Sequence, residues 1–331
     1  MRTRSTTALL AIIPAAALVL AGCATTPAAS SESGKVDVVA STNVYGDIAS
    51  KIGGSDVSVT SLISSSAQDP HSFEASAQDQ LAVKKADVVI ENGGGYDPFI
   101  DTLVSAAGND KTKVINVVDL SGLAGDDHAD HDHADADHTD APADSTESAD
   151  DGHGHIEGFN EHVFYDLPTM AKLADELAKE FGAADSANAD TFTKNAETFK
   201  ASLTTIENAA AAIKTDHDGA GVAITEPVPL YLLQSAGLVN KTPAEFSEAI
   251  EEGTDVSPAV LKETLDLFGT GTVSLLAYNE QTSGAETEQV EKAATAAGVP
   301  VVSFTETLPD GKDYLSWMTS NVEAVAKALQ K

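Results

Sequence analysis

The chain has 331 residues, room for two domains of ordinary size, and 42% of them are hydrophobic, enough to pack a core. Its 52 acidic residues against 19 basic ones give a formal net charge of -33. That charge repels nucleic acid and anionic membrane surfaces and suits a cationic partner, while an aromatic content of 5% disfavours a cleft that stacks sugars or peptides.

The first residues read as an export signal. Arg2 and Arg4 precede an apolar run over 8–20, too short for a typical transmembrane helix. The run ends Leu20-Ala21-Gly22-Cys23, which resembles the bacterial lipobox, whose cysteine is lipidated and becomes the mature N-terminus. Cys23 is the only cysteine, so no disulfide forms within the chain and no Cys-based zinc site exists. Residues 1–22 are thus expected to be a lipoprotein signal peptide and 23–34 a flexible tether. The expected location is the extracytoplasmic face of the cell membrane, with membrane contact through the lipid alone.

From Val36 the pattern alternates. Strands are predicted over 36–40, 57–63, 87–90 and 114–118, with helices over 44–52, 76–85 and 98–107, which describes a parallel sheet flanked by helices. The segment 125–155 interrupts it with eleven acidic residues, no Lys or Arg, and six of the nine histidines: His128, His131, His133, His138, His153 and His155. No core can form from it, so a disordered loop is expected, and its mix of imidazole and carboxylate suits weak, multi-site metal collection. A helix is predicted over 167–181. Phe192, Ala196, Phe199, Leu203, Ile206, Ala210 and Ile213 then recur at spacings of four and three. They mark one stripe on a helix on the order of 40 Å long, a rigid rod between two lobes.

A second α/β lobe follows, with strands over 222–225, 273–278 and 299–304 and helices after each. The expected fold class is therefore α/β, two lobes each with a mostly parallel sheet, joined by a long rigid helix. The expected boundaries are 35–184, 185–217 and 218–331. Strand ends of parallel sheets line one edge. His71 follows the second strand, His162 precedes the helix at 167, and Glu226 and Glu306 each stand just past a strand of the second lobe. Two candidate ligands per lobe therefore face one cleft.

Several motifs resemble a known family, the metal-binding solute-binding proteins of zinc and manganese ABC importers. Asp69-Pro70-His71-Ser72-Phe73-Glu74 looks like its D-P-H-x-[YF]-E signature, and Ala86 to Gly93 resembles the strand that follows. Glu161-His162-Val163-Phe164 matches its D-P-H-V-W segment with Glu and Phe substituted. Thr225-Glu226 with Tyr231 fits a T-H-x-x-x-x-Y element, and Tyr314 to Asn321 fits Y-x-x-x-M-x-x-N. The resemblance implies His71, His162, Glu226 and Glu306 as metal ligands, with Asp69 a candidate to orient an imidazole. It also implies a membrane permease as partner, a monomer, and no enzymatic activity. Glu226 departs from the zinc-type pattern, where His is usual and Glu marks manganese-type members; Glu306 stands where Asp is frequent. Two histidines and two carboxylates suit either ion. The histidine-rich segment tips the expected cargo to Zn2+, with Mn2+, or a stand-alone metal-scavenging lipoprotein, as alternatives. A zinc hydrolase would need an open coordination position and a general base, and no H-E-x-x-H motif is present.

Overall fold

A computed structural model describes residues 34–65, 68, 70–125, 156 and 158–330. Two four-stranded sheets repeat one topology. The first runs β2-β1-β3-β4, from β1 (Val36–Thr42), β2 (Val57–Ile63), β3 (Val88–Glu91) and β4 (Lys113–Asn116). The second runs β6-β5-β7-β8, from β5 (Gly221–Ile224), β6 (Val239–Asn240), β7 (Leu276–Asn279) and β8 (Val301–Phe304). Every pairing is parallel. In each sheet the first strand lies inside and the chain leaves it first to one side, then to the other. That reversal is the switch point at which open parallel sheets bind ligands.

Helices α1 (Asn43–Gly53), α2 (Ala77–Lys85), α3 (Phe99–Ala107), α4 (Val117–Ser121) and α5 (Leu167–Ala184) belong to the first half. The second half carries α7 (Leu230–Ser235), α8 (Ala244–Glu251), α9 (Pro258–Thr270), α10 (Ala285–Ala296) and α11 (Tyr314–Leu329), and α6 (Ala189–His217) joins the halves. Both faces of the strands are covered, so their side chains alternate between two apolar environments. Val38, Ala40, Val88 and Ile90 face a central cluster, whereas Val39 and Val89 face an outer one with Phe99 and Leu103. In the second sheet Val222, Ile224, Ala277 and Phe304 face the same central cluster, and Ala223, Leu276 and Tyr278 face an outer one with Phe246 and Phe268.

The central cluster is shared by both halves, and α6 is its spine. All seven stripe residues of α6 are buried in it. The helix is 29 residues long, about 44 Å at the usual rise, and packs on α1 and α5 of the first half and on α7 and α11 of the second. Direct ties reinforce this. Asn43 donates to Leu308 O at 3.3 Å and accepts from Leu308 N at 3.0 Å, and Tyr314 N donates to Asp47 at 2.9 Å.

The structure corrects some predicted boundaries. The fourth strand ends at Asn116 and not at residue 118, because the Asn116 side chain accepts from Asp119 N and starts α4 there. The strand predicted over 273–278 begins at Leu276. The short strand β6 and helix α8 were not predicted.

The end of β3 is where the first half begins to build its site. Gly93, Gly94 and Gly95 follow it, all at positive φ (78°, 67° and 94°), a run that residues with side chains rarely adopt. A Cβ on Gly93 would also strike the Asn116 side chain at 2.4 Å. Asp97 closes this loop by accepting from Asn92 N at 2.7 Å and Gly93 N at 2.9 Å, and Asn92 in turn donates to Glu161 O at 3.0 Å, next to His162.

Two acids here are held against ionisation. Burial, then the charges of Asp97 and Asp101, push Glu91 up to about 8. Burial outweighs the hydrogen bonds from Ser41, Asn92 and Gly93 to lift Asp97 to about 6. Both hold their proton more tightly in the fold than in the unfolded chain. The stability they contribute is therefore intact below the unfolded values and drains as pH rises through the folded ones. Thermal unfolding should show stability declining from about pH 5 to pH 8. Glu91→Gln, which retains an acceptor for Asn116, should flatten that decline.

Candidate metal centre

Three of the four expected ligands meet. His71 lies on the loop after β2, His162 on the segment that enters α5 through a 3-10 turn (Val163–Tyr165), and Glu306 two residues past β8. Their ligand atoms lie within 4.8 Å of one another. Nε2 of His71 and Nε2 of His162 each stand 3.8 Å from Oε2 of Glu306. Two metal bonds of about 2.0–2.2 Å span such a gap, so one ion can reach all three after small shifts. His162 and Glu306 are buried, and the His71 side chain is 15% exposed.

Glu306 presents one oxygen to this group. Its Oε1 accepts from Asn279 Nδ2 at 2.8 Å, whereas the buried Oε2 has no hydrogen-bond partner and faces the two imidazoles. Glu226, the fourth expected residue, is buried beyond β5 but is not one of the three. Its Oε2 accepts from the same Asn279 Nδ2 at 2.5 Å, and its Oε1 accepts from the Thr282 hydroxyl. One buried amide thus pins a carboxylate from each of two strand ends.

The electrostatics divide the acids. Burial opposes ionisation of Glu306, but the close approach and charge of His162, with the charge of His71, hold its carboxyl below the usual range. Burial and the Glu306 charge push Glu226 up to about 7, against its bonds from Thr282 and Asn279. Burial disfavours charge on His162, yet the close approach of the Glu306 carboxylate and the charges of Glu251 and Glu161 lift it to about 9. The pocket therefore holds an excess of negative charge around its imidazoles, the field a divalent cation seeks.

Sequence reasoning missed several contributors. Tyr96 is fully buried and stands edge-on to both imidazoles, with ring centroids 5.0 Å from His71 and 5.6 Å from His162. Glu161 and Glu251 form a second close group with His162, Glu251 lying 3.6 Å from Nδ1. Asn279 carried a legible signal, since it ends β7 where its neighbours β5 and β8 deliver their carboxylates. Glu251 carried none, because α8 was not predicted. Asp69, Cys23 and the six histidines of 125–155 lie outside the described residues.

A family model described as "ZnuA: Zinc-uptake complex component A periplasmic" matches residues 38–328. The chain belongs to this family. It is a family of solute-binding proteins, not of enzymes. The chain is 28% identical over 195 residues to the manganese-binding lipoprotein MntA of Bacillus subtilis, a match covering 59% of this chain and 55% of that protein. The match thus spans about half the length of this curated relative. An iron ABC transporter substrate-binding lipoprotein of Streptococcus pyogenes, MtsA, is 22% identical, with 94% of each chain covered. The fold of Pseudomonas aeruginosa FpvC, solved with Mn2+, superposes with a TM-score of 0.65 at 23% identity, covering 89% of this chain and 98% of that one.

In the metal-free protein at neutral pH, His162 carries a proton that a metal ion must displace. Calorimetry at pH 7.5 in buffers of different ionisation enthalpy should therefore record release of close to one proton per ion bound. Affinity should weaken about tenfold per pH unit as pH falls below about 9.

Proposed function

We propose that this protein is the extracytoplasmic solute-binding lipoprotein of a metal ABC importer. It captures Zn2+ between the two halves and delivers it to a membrane permease. The observation that carries the reading is the buried group of His71, His162 and Glu306, drawn from both halves. Family membership supports the importer, and the lipoproteins among the relatives support the anchor at Cys23. The division proposed is a signal peptide at 1–22, a tether at 23–34, an N-terminal lobe at 35–184, a linking segment at 185–217 and a C-terminal lobe at 218–331.

Two imidazole nitrogens and one carboxylate oxygen are donors that suit zinc. The histidine-rich segment, read as a weak collector that feeds the inner site, favours the same ion. A manganese reading has its own support: Glu226 would bring a second carboxylate, and relatives are described as manganese-binding. In the zinc reading Glu226 completes the set as a fourth ligand once it turns from Thr282.

Competition titration should find one tight zinc site per protein. His71→Ala and Glu306→Gln should each weaken it by more than the ~10–100-fold typical of outer-shell partners. Deleting 125–155 should remove weaker zinc equivalents and leave the tight one. Raw affinity alone favours zinc over manganese in most nitrogen and oxygen sites, so the cargo is decided in cells. Disrupting the gene should lower zinc accumulation, and a loss of manganese with zinc unchanged overturns the zinc assignment.

A further inference from the structure

Asn160 sits two residues before His162 and makes four hydrogen bonds. Its Oδ1 accepts from His162 N at 3.1 Å and lies 2.8 Å from His162 Nδ1. Its Nδ2 donates to Pro227 O at 3.1 Å, and its backbone oxygen accepts from the Tyr231 hydroxyl at 2.7 Å. Two of these partners fix which way the amide points. The backbone N–H of His162 can only donate, and the Pro227 carbonyl can only accept. The atom facing the imidazole is therefore the amide oxygen.

That orientation has a chemical consequence. An oxygen acceptor 2.8 Å from Nδ1 requires the proton of the neutral ring to sit on Nδ1. Glu251 Oε1, 3.6 Å from the same nitrogen, adds negative charge on that side, which favours the proton there. The lone pair is left on Nε2, the nitrogen that faces Glu306 Oε2 and the His71 ring. Pro227 directly follows Glu226, and Tyr231 lies on α7, so the groups that hold Asn160 belong to the other half of the molecule.

We propose that Asn160 is the positioning residue of the metal centre, selecting Nε2 of His162 as the ligand atom and tying that ring to the C-terminal half through Pro227 and Tyr231. The inference rests on the metal-binding reading above. It also gives a role to Tyr231, which the sequence motif singled out. Outer-shell partners of this kind typically change metal affinity about 10–100-fold.

The test uses the protein with 15N-labelled histidine, titrated with Zn2+ alone. In the loaded wild type, His162 should show a slowly exchanging Nδ1–H resonance with Nε2 metal-bound. Asn160→Ala should weaken zinc binding about 10–100-fold and lose that protected resonance. Asn160 lines a cavity of about 270 Å³, so the truncation leaves room for water beside the ring. Asn160→Asp retains the acceptor for Nδ1–H but not the donor to Pro227 O, so it should recover the resonance and part of the affinity. A merely structural contact would lower stability without moving the resonance. Three results overturn the inference: an Nε2–H in the loaded wild type, which needs no variant to fold; wild-type affinity with a protected Nδ1–H in Asn160→Ala; or Asn160→Asp as weak as the alanine. A wild type that takes up no metal overturns the functional reading and this inference with it.

Discussion

Glu306 holds its carboxylate at 3% exposure, and taking an ion that far out of water costs several kcal/mol unless partners replace the lost hydration. The replacement here is partial by construction. Asn279 serves one oxygen, the Glu306 N–H is taken by Gln281, and the other oxygen is aimed at two imidazoles with no hydrogen bond. A proton on His162 compensates in the metal-free state, which is why the ring and the carboxyl shift in opposite directions. A divalent cation supplies more charge at the same place, so loading exchanges a weak compensation for a strong one. The affinity of the site and the cost of burying Glu306 are two aspects of the same electrostatic problem.

Such an exchange needs walls that do not collapse around an unpaired oxygen. The central core provides them, because one apolar cluster runs through both sheets and α6 threads it from end to end. Opening the two halves by a wide hinge would expose Phe199, Leu203 and Ile206 to water, at about 25 cal/mol for each Å² of apolar surface. The ties from Asn43 to Leu308 and from Asp47 to Tyr314 would break as well. Movement on loading is therefore cheapest in the loops that carry the ligands. His71, with its side chain 15% exposed on the β2–α2 loop, is the group best placed to move.

Much of this was legible in the sequence, and for physical reasons. Two-faced apolar strands alternating with helices leave few choices beyond parallel sheets, and the four-three stripe from Phe192 to Ile213 named every buried residue of α6. His71 and Glu306 were legible because the resemblance and the strand-end rule both pointed to them, and His162, at a helix entry, through the resemblance. What failed was polar and local. The Asn116 cap that ends β4 and starts α4 competes with an apolar run that reads equally well as strand. Helix α8 offers only Phe246 and Ser247 as buried residues, too few to print a periodicity, so Glu251 went unseen. Asn160 and Tyr96 act through hydrogen bonds and ring contacts across the fold, and such pairings leave no spacing signature along a chain.

The contrast between Glu306 and Glu226 bears on how the site chooses among cations. Both are buried and both lean on Asn279, yet only Glu306 keeps an oxygen directed at the imidazoles. To join an ion, Glu226 must weaken its bonds from Thr282 and Asn279, each worth about 1.5–3 kcal/mol when the acceptor is charged. It must also give up the proton that burial encourages it to hold near neutrality. An ion content with four ligands and two nitrogens, as zinc is, needs one oxygen from Glu226 and can leave the other on its donor. An ion that prefers more oxygens asks for both, and meets the full cost. On the reading proposed here, Asn279 and Thr282 thus tax oxygen-rich coordination more than tetrahedral coordination. A carboxylate in a position where zinc-type relatives carry histidine then need not make the site a manganese site.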